Sequence, residues 1–302
     1  MFPKILKGVR VMDLSRLLPG PFASELLEKM GAEVTCIIPP DGDPLLGAYS
    51  PFESLKDGKK FLTVDLKSKA GLAKAQEVLS QSQILLEGFR PGTMDRLGLG
   101  FDVAKKIQAN ILYVSIVGYA EDDERFLRGA HDINFLVDSG VYSLLMPDDS
   151  ALIPALQLAD VLGGFYAAFQ ILMEWIRRAQ SLEPRHLRVS VVEALEVMSS
   201  YLRDERTENL LPFLTGGLAR YRIYWTQDKK RIAVAGIEPK FFQRLLDALE
   251  IKMEDDESEE ALAAKIQKHF AGEELAYWKV KLQDLDACLS FIPSRAEILK
   301  RP

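Results

Sequence analysis

The sequence predicts an α/β protein, with a large domain on a Rossmann-like parallel sheet and a smaller α+β domain after it. Three observations predict it. The first hundred residues alternate short apolar runs with helix-like segments, as βαβ units do. After His131 the pattern turns helical. Past a polar stretch from Arg203 to Leu210 the grammar changes again, which divides the chain into 1–207, a large α/β domain, and 208–302, a small α+β one. At 302 residues the chain exceeds what one core usually serves.

Val9 to Leu14 reads as a buried strand and Pro21 to Met30 as a helix opened by Pro-Gly-Pro, with Gly31 ending it as a C-cap glycine would. Ala32 to Ile38, Phe61 to Leu66, Ile84 to Phe89 and Ile111 to Val117 read as further strands, with helices over Lys67 to Ser80 and Asp102 to Gln108. The strongest helix runs from Gln157 to Gln180, where Leu158, Val161, Leu162, Phe165, Phe169 and Leu172 recur at helical spacing. A β-like run, Leu187 to Val191, leads into a helix from Val192 to Arg203. In the second domain, Tyr221 to Thr226 and Arg231 to Val234 form a hairpin pattern, followed by helices over Pro239 to Leu249, Glu259 to Phe270 and Glu273 to Leu282.

A composition of 48% hydrophobic and 27% charged residues is that of a globular protein. The formal charge of −6 argues against a nucleic-acid partner, which calls for a basic stripe. No run of about 18 apolar residues occurs, so no membrane partner is expected, and the two distant cysteines, Cys36 and Cys288, suggest neither a disulfide framework nor zinc. A cytoplasmic location fits.

A dinucleotide site would need Gly-x-Gly-x-x-Gly between the first strand and helix, and Ser15-Arg16-Leu17-Leu18-Pro19-Gly20-Pro21-Phe22 lacks it. Another pattern is present. Leu6-Lys7-Gly8-Val9-Arg10-Val11-Met12-Asp13-Leu14-Ser15-Arg16 is followed by Gly20-Pro21-Phe22-Ala23 and Met30-Gly31-Ala32-Glu33-Val34. Asp57-Gly58-Lys59-Lys60, Glu87-Gly88-Phe89-Arg90-Pro91-Gly92 and Leu97-Gly98-Leu99 continue it. The ordered set resembles family III CoA-transferases, the CaiB/BaiF group. The resemblance implies an acyl-CoA substrate, no cofactor beyond the CoA moiety of that substrate, no metal, a shortened C-terminus and an interlocked homodimer. Lys59, Lys60 and Arg90 sit in segments that resemble CoA-contacting loops, and a strongly anionic ligand needs such donors.

Three later positions resemble the proton-transfer residues of the α-methylacyl-CoA racemase branch: His131 in Gly129-Ala130-His131-Asp132, Asp160 in Leu158-Ala159-Asp160-Val161, and Glu238 before Pro239. Inverting a carbon beside a thioester needs a base on each face, each able to return a proton. A near-neutral histidine and a carboxylate raised by burial meet that need. His131 and Asp160 are then the pair, Glu238 orients the imidazole, and helix N-termini near Asp132 and Asp160 supply dipoles for the enolate. Taken singly, His131 also reads as a helix-start residue, Asp160 as an N-cap and Glu238 as a first-turn carboxylate. Gly163 and Gly164 read either as room for a ligand beside Asp160 or as tight helix packing. The expected activity is racemisation or epimerisation of 2-methylacyl-CoA. A CoA-transferase working through an aspartyl-CoA thioester at Asp160 is the alternative, and a CoA-ester-binding paralogue without turnover is a third reading.

Overall fold

The computed structural model describes residues 2–42, 53–146, 149–178, 182–202 and 211–300. Two compact units emerge, Met1–Ser200 and Tyr201–Pro302. The boundary expected between 207 and 208 lies outside the described residues.

The first unit runs β1 (Arg10–Asp13), α1 (Pro19–Lys29), β2 (Glu33–Ile38), β3 (Lys60–Thr63), α2 (Lys69–Ser80), β4 (Ile84–Glu87), α3 (Thr93–Arg96), α4 (Phe101–Ile107) and β5 (Leu112–Val117). It continues through α5 (Asp132–Asp138), α6 (Val141–Leu145), α7 (Leu158–Arg177), β6 (Arg185–Ser190) and α8 (Val191–Ser199). The six strands lie in the order β3-β2-β1-β4-β5-β6, every neighbouring pair parallel. This is the doubly wound order, and its switch point falls between β1 and β4.

Alternation along the strands sorts side chains onto two faces. Val11, Ile84, Leu86, Leu112 and Val114 pack with α1, α5, α7 and α8, whereas Met12, Leu85 and Tyr113 pack with α2, α3 and α4. Several element ends differ from expectation for local reasons. Helix α1 starts at Pro19, because a proline at the first helical position gives up only an amide that has no partner there. Gly31, at φ 99°, follows the cap residue Met30 and turns the chain into β2. Strand β4 stops at Glu87, whose Oε2 accepts the Phe89 amide at 2.7 Å. Ser190 caps α8 by accepting the Glu193 amide, so the helix begins at Val191.

The expected apolar stripe of α7 needs correction. Its buried residues include Ala159, Gly163, Ala167 and Ile171, while Phe165 and Phe169 are exposed. Small residues let α7 close on its neighbours. A Cβ on Gly163 would stand 2.8 Å from Val191 of α8, and one on Gly164 would stand 2.4 Å from the Pro19 carbonyl oxygen of α1. Packing, and not room for a ligand, explains both glycines. The expected helix end at Gln180 lies outside the described residues.

The second unit contains α9 (Leu211–Leu214), β7 (Tyr221–Trp225), β8 (Arg231–Ala235), α10 (Pro239–Ala248), α11 (Glu259–Phe270), α12 (Leu275–Leu282), β9 (Leu289–Ile292) and α13 (Arg295–Ile298). The hairpin β7-β8 is antiparallel as its pattern predicts, and β9 adds a third antiparallel strand that the pattern did not announce. Tyr224, Ile232, Leu245, Ile266, Phe270 and Trp278 belong to its own core. Among the described residues no helix is long and apolar enough to cross a membrane.

Candidate active site

Turns leaving the carboxyl ends of β1, β4 and β5 bound a cleft of about 410 Å³ in the first unit. This is the switch-point crevice where doubly wound sheets bind ligands. Each turn has a local cause. After β1, Asp13 Oδ1 accepts the Ser15 amide at 2.8 Å, and Leu17 takes a left-handed φ of 65° that is strained for a side-chain-bearing residue and sets it in the cleft wall. After β4, the buried Glu87 holds the turn that carries Arg90.

His131 and Asp160 both line this cleft, with Arg16, Arg90 and Arg128. His131 is the N-cap of α5, its backbone extended at φ −132°, with its amide donating to Asn134 Oδ1 at 3.1 Å. Its side chain is exposed. Asp160 is the third residue of α7, so its reading as an N-cap gives way to Gln157, whose Nε2 donates to Asp160 Oδ2 at 3.3 Å. At 8% exposure, Asp160 is pushed up from 3.8 to about 7, chiefly by loss of solvent and secondarily by the charge of Asp132. A carboxyl group poised there can give and take a proton near neutrality.

The Asp160 amide donates to Asp132 Oδ1 at 3.1 Å, and the Ala159 amide also bonds that carboxylate. This corrects the expected role of the α7 N-terminus, whose amides at those positions are occupied by Asp132. Burial raises the Asp132 carboxyl while the two amides oppose that rise. The two amides favour the charged form of Asp132, and that charge in turn favours the protonated form of Asp160.

Arg90 is placed in the cleft as expected, its guanidinium lying where a side chain on Gly129 would be, 2.3 Å from an ideal Cβ there. Lys59 is turned inward. Its Nζ donates to the Pro21 carbonyl at 2.7 Å and to Ser24 Oγ at 2.8 Å, and burial lowers its pKa. Lys60 opens the edge strand β3, opposite Thr35 of β2, 3.9 Å from Glu33. β2 stands between β3 and the β1–β4 switch point, so strand order separates Lys60 from the cleft, which it does not line. Glu238 is exposed at the N-cap of α10 in the second unit, with no side-chain cap bond.

Sequence reasoning missed Arg16 and Arg128. Arg16 follows the first strand and stacks over the Phe89 ring at 5.1 Å, and Arg128 stands three residues before His131. Neither makes an ion pair among the described residues. Position after a strand was the usable signal for Arg16. A second hollow of about 500 Å³, at the ends of β1, β2 and β3, shares Arg16 and Phe89 and adds Lys67. It supplies cationic groups where Cys36-Ile37-Ile38-Pro39-Pro40 has none. The acidic run Glu121 to Glu124 is partly neutralised: Glu121 pairs with Arg188 at 2.8 Å and Asp123 with Arg125 at 2.7 Å.

Comparison with known proteins gives the family. The family model described as CoA-transferase family III matches residues 6–302. The chain belongs to this family. Relatives include the α-methylacyl-CoA racemase of Homo sapiens, 29% identical over 97% of this chain and 79% of that protein, and the racemase of Mus musculus, 30% identical over 98% and 79%. The succinyl-CoA:glutarate CoA-transferase of Mus musculus is 27% identical over 79% of this chain and 58% of its own length. Among solved structures, a CaiB/BaiF family protein from Brucella suis superposes with a TM-score of 0.82 at 21% identity, covering 99% of this chain and 86% of that one. The family fold is thereby shared, and the relatives with named activities are racemases and CoA-transferases.

Proposed function

We propose that this member of the family is an acyl-CoA racemase or epimerase, inverting the α-carbon of 2-methylacyl-CoA thioesters by two-base proton transfer. The observation that carries this reading is that His131 and Asp160 line one crevice, with Asp160 titrating at about 7. One residue takes the α-proton, the electron pair passes to the thioester oxygen as an enolate, and the other residue returns a proton to the opposite face. The amides opening α5 face the developing charge. Arg90 and Arg16 hold CoA phosphates, the nucleotide extending toward the second hollow. Glu238 orients the imidazole, a role supported by the family resemblance alone. The exposed stripe Phe165, Phe169, Met173 and Ile176 supports a homodimer, because a second copy would cover it.

The test is incubation with 2-methylacyl-CoA in heavy water. The expected result is incorporation of one deuterium at the α-carbon with loss of optical activity; no wash-in over hours across a panel of branched acyl-CoA esters rejects the reading. The match to a succinyl-CoA:glutarate CoA-transferase favours a second reading, in which Asp160 attacks the thioester carbonyl and expels CoA thiolate, the thiolate returns to the Asp160 carbonyl and releases the donor acid to leave an aspartyl-CoA thioester, and an acceptor carboxylate reverses the two steps, taking the CoA and freeing Asp160. Hydroxylamine trapping of an activated acyl group at Asp160 would select it.

A further inference from the structure

Helix α7 has no cap of its own. Gln157 stands at its N-cap with φ −73° and ψ 74° and makes no side-chain cap bond, so first-turn amides must find an acceptor elsewhere. They find Asp132, 28 residues away in sequence, whose Oδ1 takes the Asp160 amide at 3.1 Å and whose carboxylate also takes the Ala159 amide. Asp132 is itself buried, at 9% exposure, and it is the first residue of α5, immediately after His131. One carboxylate therefore ties the helix end that carries the imidazole to the helix end that carries the second acid.

We infer that Asp132 is a positioning residue for the reaction: by capping α7 from the start of α5 it fixes Asp160 relative to His131 and keeps a negative charge beside it. The inference rests on the two-base reading above. Its physical content differs from that of a plain cap. A plain cap affects only how firmly the helix starts. Asp132 also holds two bases in register, and a small misplacement of reacting groups costs rate steeply. It also acts on Asp160 through space, favouring the protonated form. The other titratable groups facing Asp160 across the cleft are His131, Arg16, Arg90 and Arg128, while the wall residues given by α1 and α8, Pro19, Gly20 and Val191, are uncharged.

Two variants separate these roles. Asp132→Asn keeps an acceptor for the amides and removes the charge; Asp132→Ala removes both. Carbon-13 titration of the Asp160 carboxyl needs no turnover, so it reads the charge effect even if the racemase reading fails. In D132N that titration is expected to move to lower pH by about 0.5 unit or more. The acid limb of α-proton exchange should move with it in the direction where Asp160 is the base. In D132A, exchange should fall about 10-fold or more while KM stays within about threefold. An unmoved Asp160 titration in D132N overturns the inference, as does exchange in D132A within about twofold of the parent. Should D132A fail to fold, D132N decides. If the parent protein exchanges no α-proton, the two-base reading fails separately, and the titration still reports whether Asp132 governs the charge on Asp160.

Discussion

Replacing Asp160 by asparagine removes a charge that the fold buries, and the consequence depends on pH. The carboxyl titrates at 3.8 when unperturbed and at about 7 in the folded chain. Between those values the folded state retains a proton that the unfolded chain has released, so stability falls as pH rises through this window and levels off above it. Roughly three pH units at about 1.4 kcal/mol each give about 4 kcal/mol. Asparagine is isosteric, neutral and still accepts from Gln157 Nε2. The variant should therefore exceed the parent by about 4 kcal/mol at pH 8 and by only about 1.5 kcal/mol at pH 5. Urea unfolding followed by circular dichroism at both pH values measures this, and Tm at pH 8 should rise by about 8 to 16 °C. Equal stability at pH 8, or a difference that does not change with pH, would refute the buried-charge argument. The stabilised variant should also lose α-proton exchange, since it can neither take nor return a proton.

Other outcomes follow from the same geometry. His131→Ala should lower exchange by about 10²- to 10⁴-fold with little change in Tm, because the side chain is exposed. Arg90→Ala should weaken binding of CoA esters by about 10-fold in calorimetry, by loss of charge-assisted hydrogen bonds, whereas Lys60→Ala, on the edge strand outside the cleft, should leave it within about twofold. Gly164→Ala should destabilise the protein by about 1 to 3 kcal/mol in thermal unfolding, because the new Cβ would stand 2.4 Å from a backbone oxygen that a rotamer change cannot move.

Residue type and spacing carry much of the fold. The alternation of apolar runs and amphipathic segments sets five of the six parallel strands near their observed places, and β6 within two residues, because strand burial on both faces is written in consecutive apolar residues such as Ile84 to Leu86. Motif order announces the family, and the local contexts of His131, Asp160 and Arg90 suffice to nominate them. Strand β9 was not legible, since a four-residue strand with one exposed and three half-buried positions leaves no clear period. The burial of α7 was misread for a related reason: large apolar residues were taken as the core stripe, while Ala and Gly on the adjacent face make the close contacts.

By itself the sequence determined the alternating α/β order and the family, and it nominated two side chains for moving a proton. Only the tertiary structure decided that they share a crevice, that Lys60 stands on an edge strand outside it, and that Asp132 reaches across 28 residues to cap the helix bearing Asp160. The reason is that spacing along a chain fixes which face of an element a residue occupies, whereas burial, strand direction and contact between distant helix ends arise only when elements pack. The titration of Asp160 is set by those packed surroundings, and a carboxyl with the same neighbours in sequence but left in water would remain a simple anion.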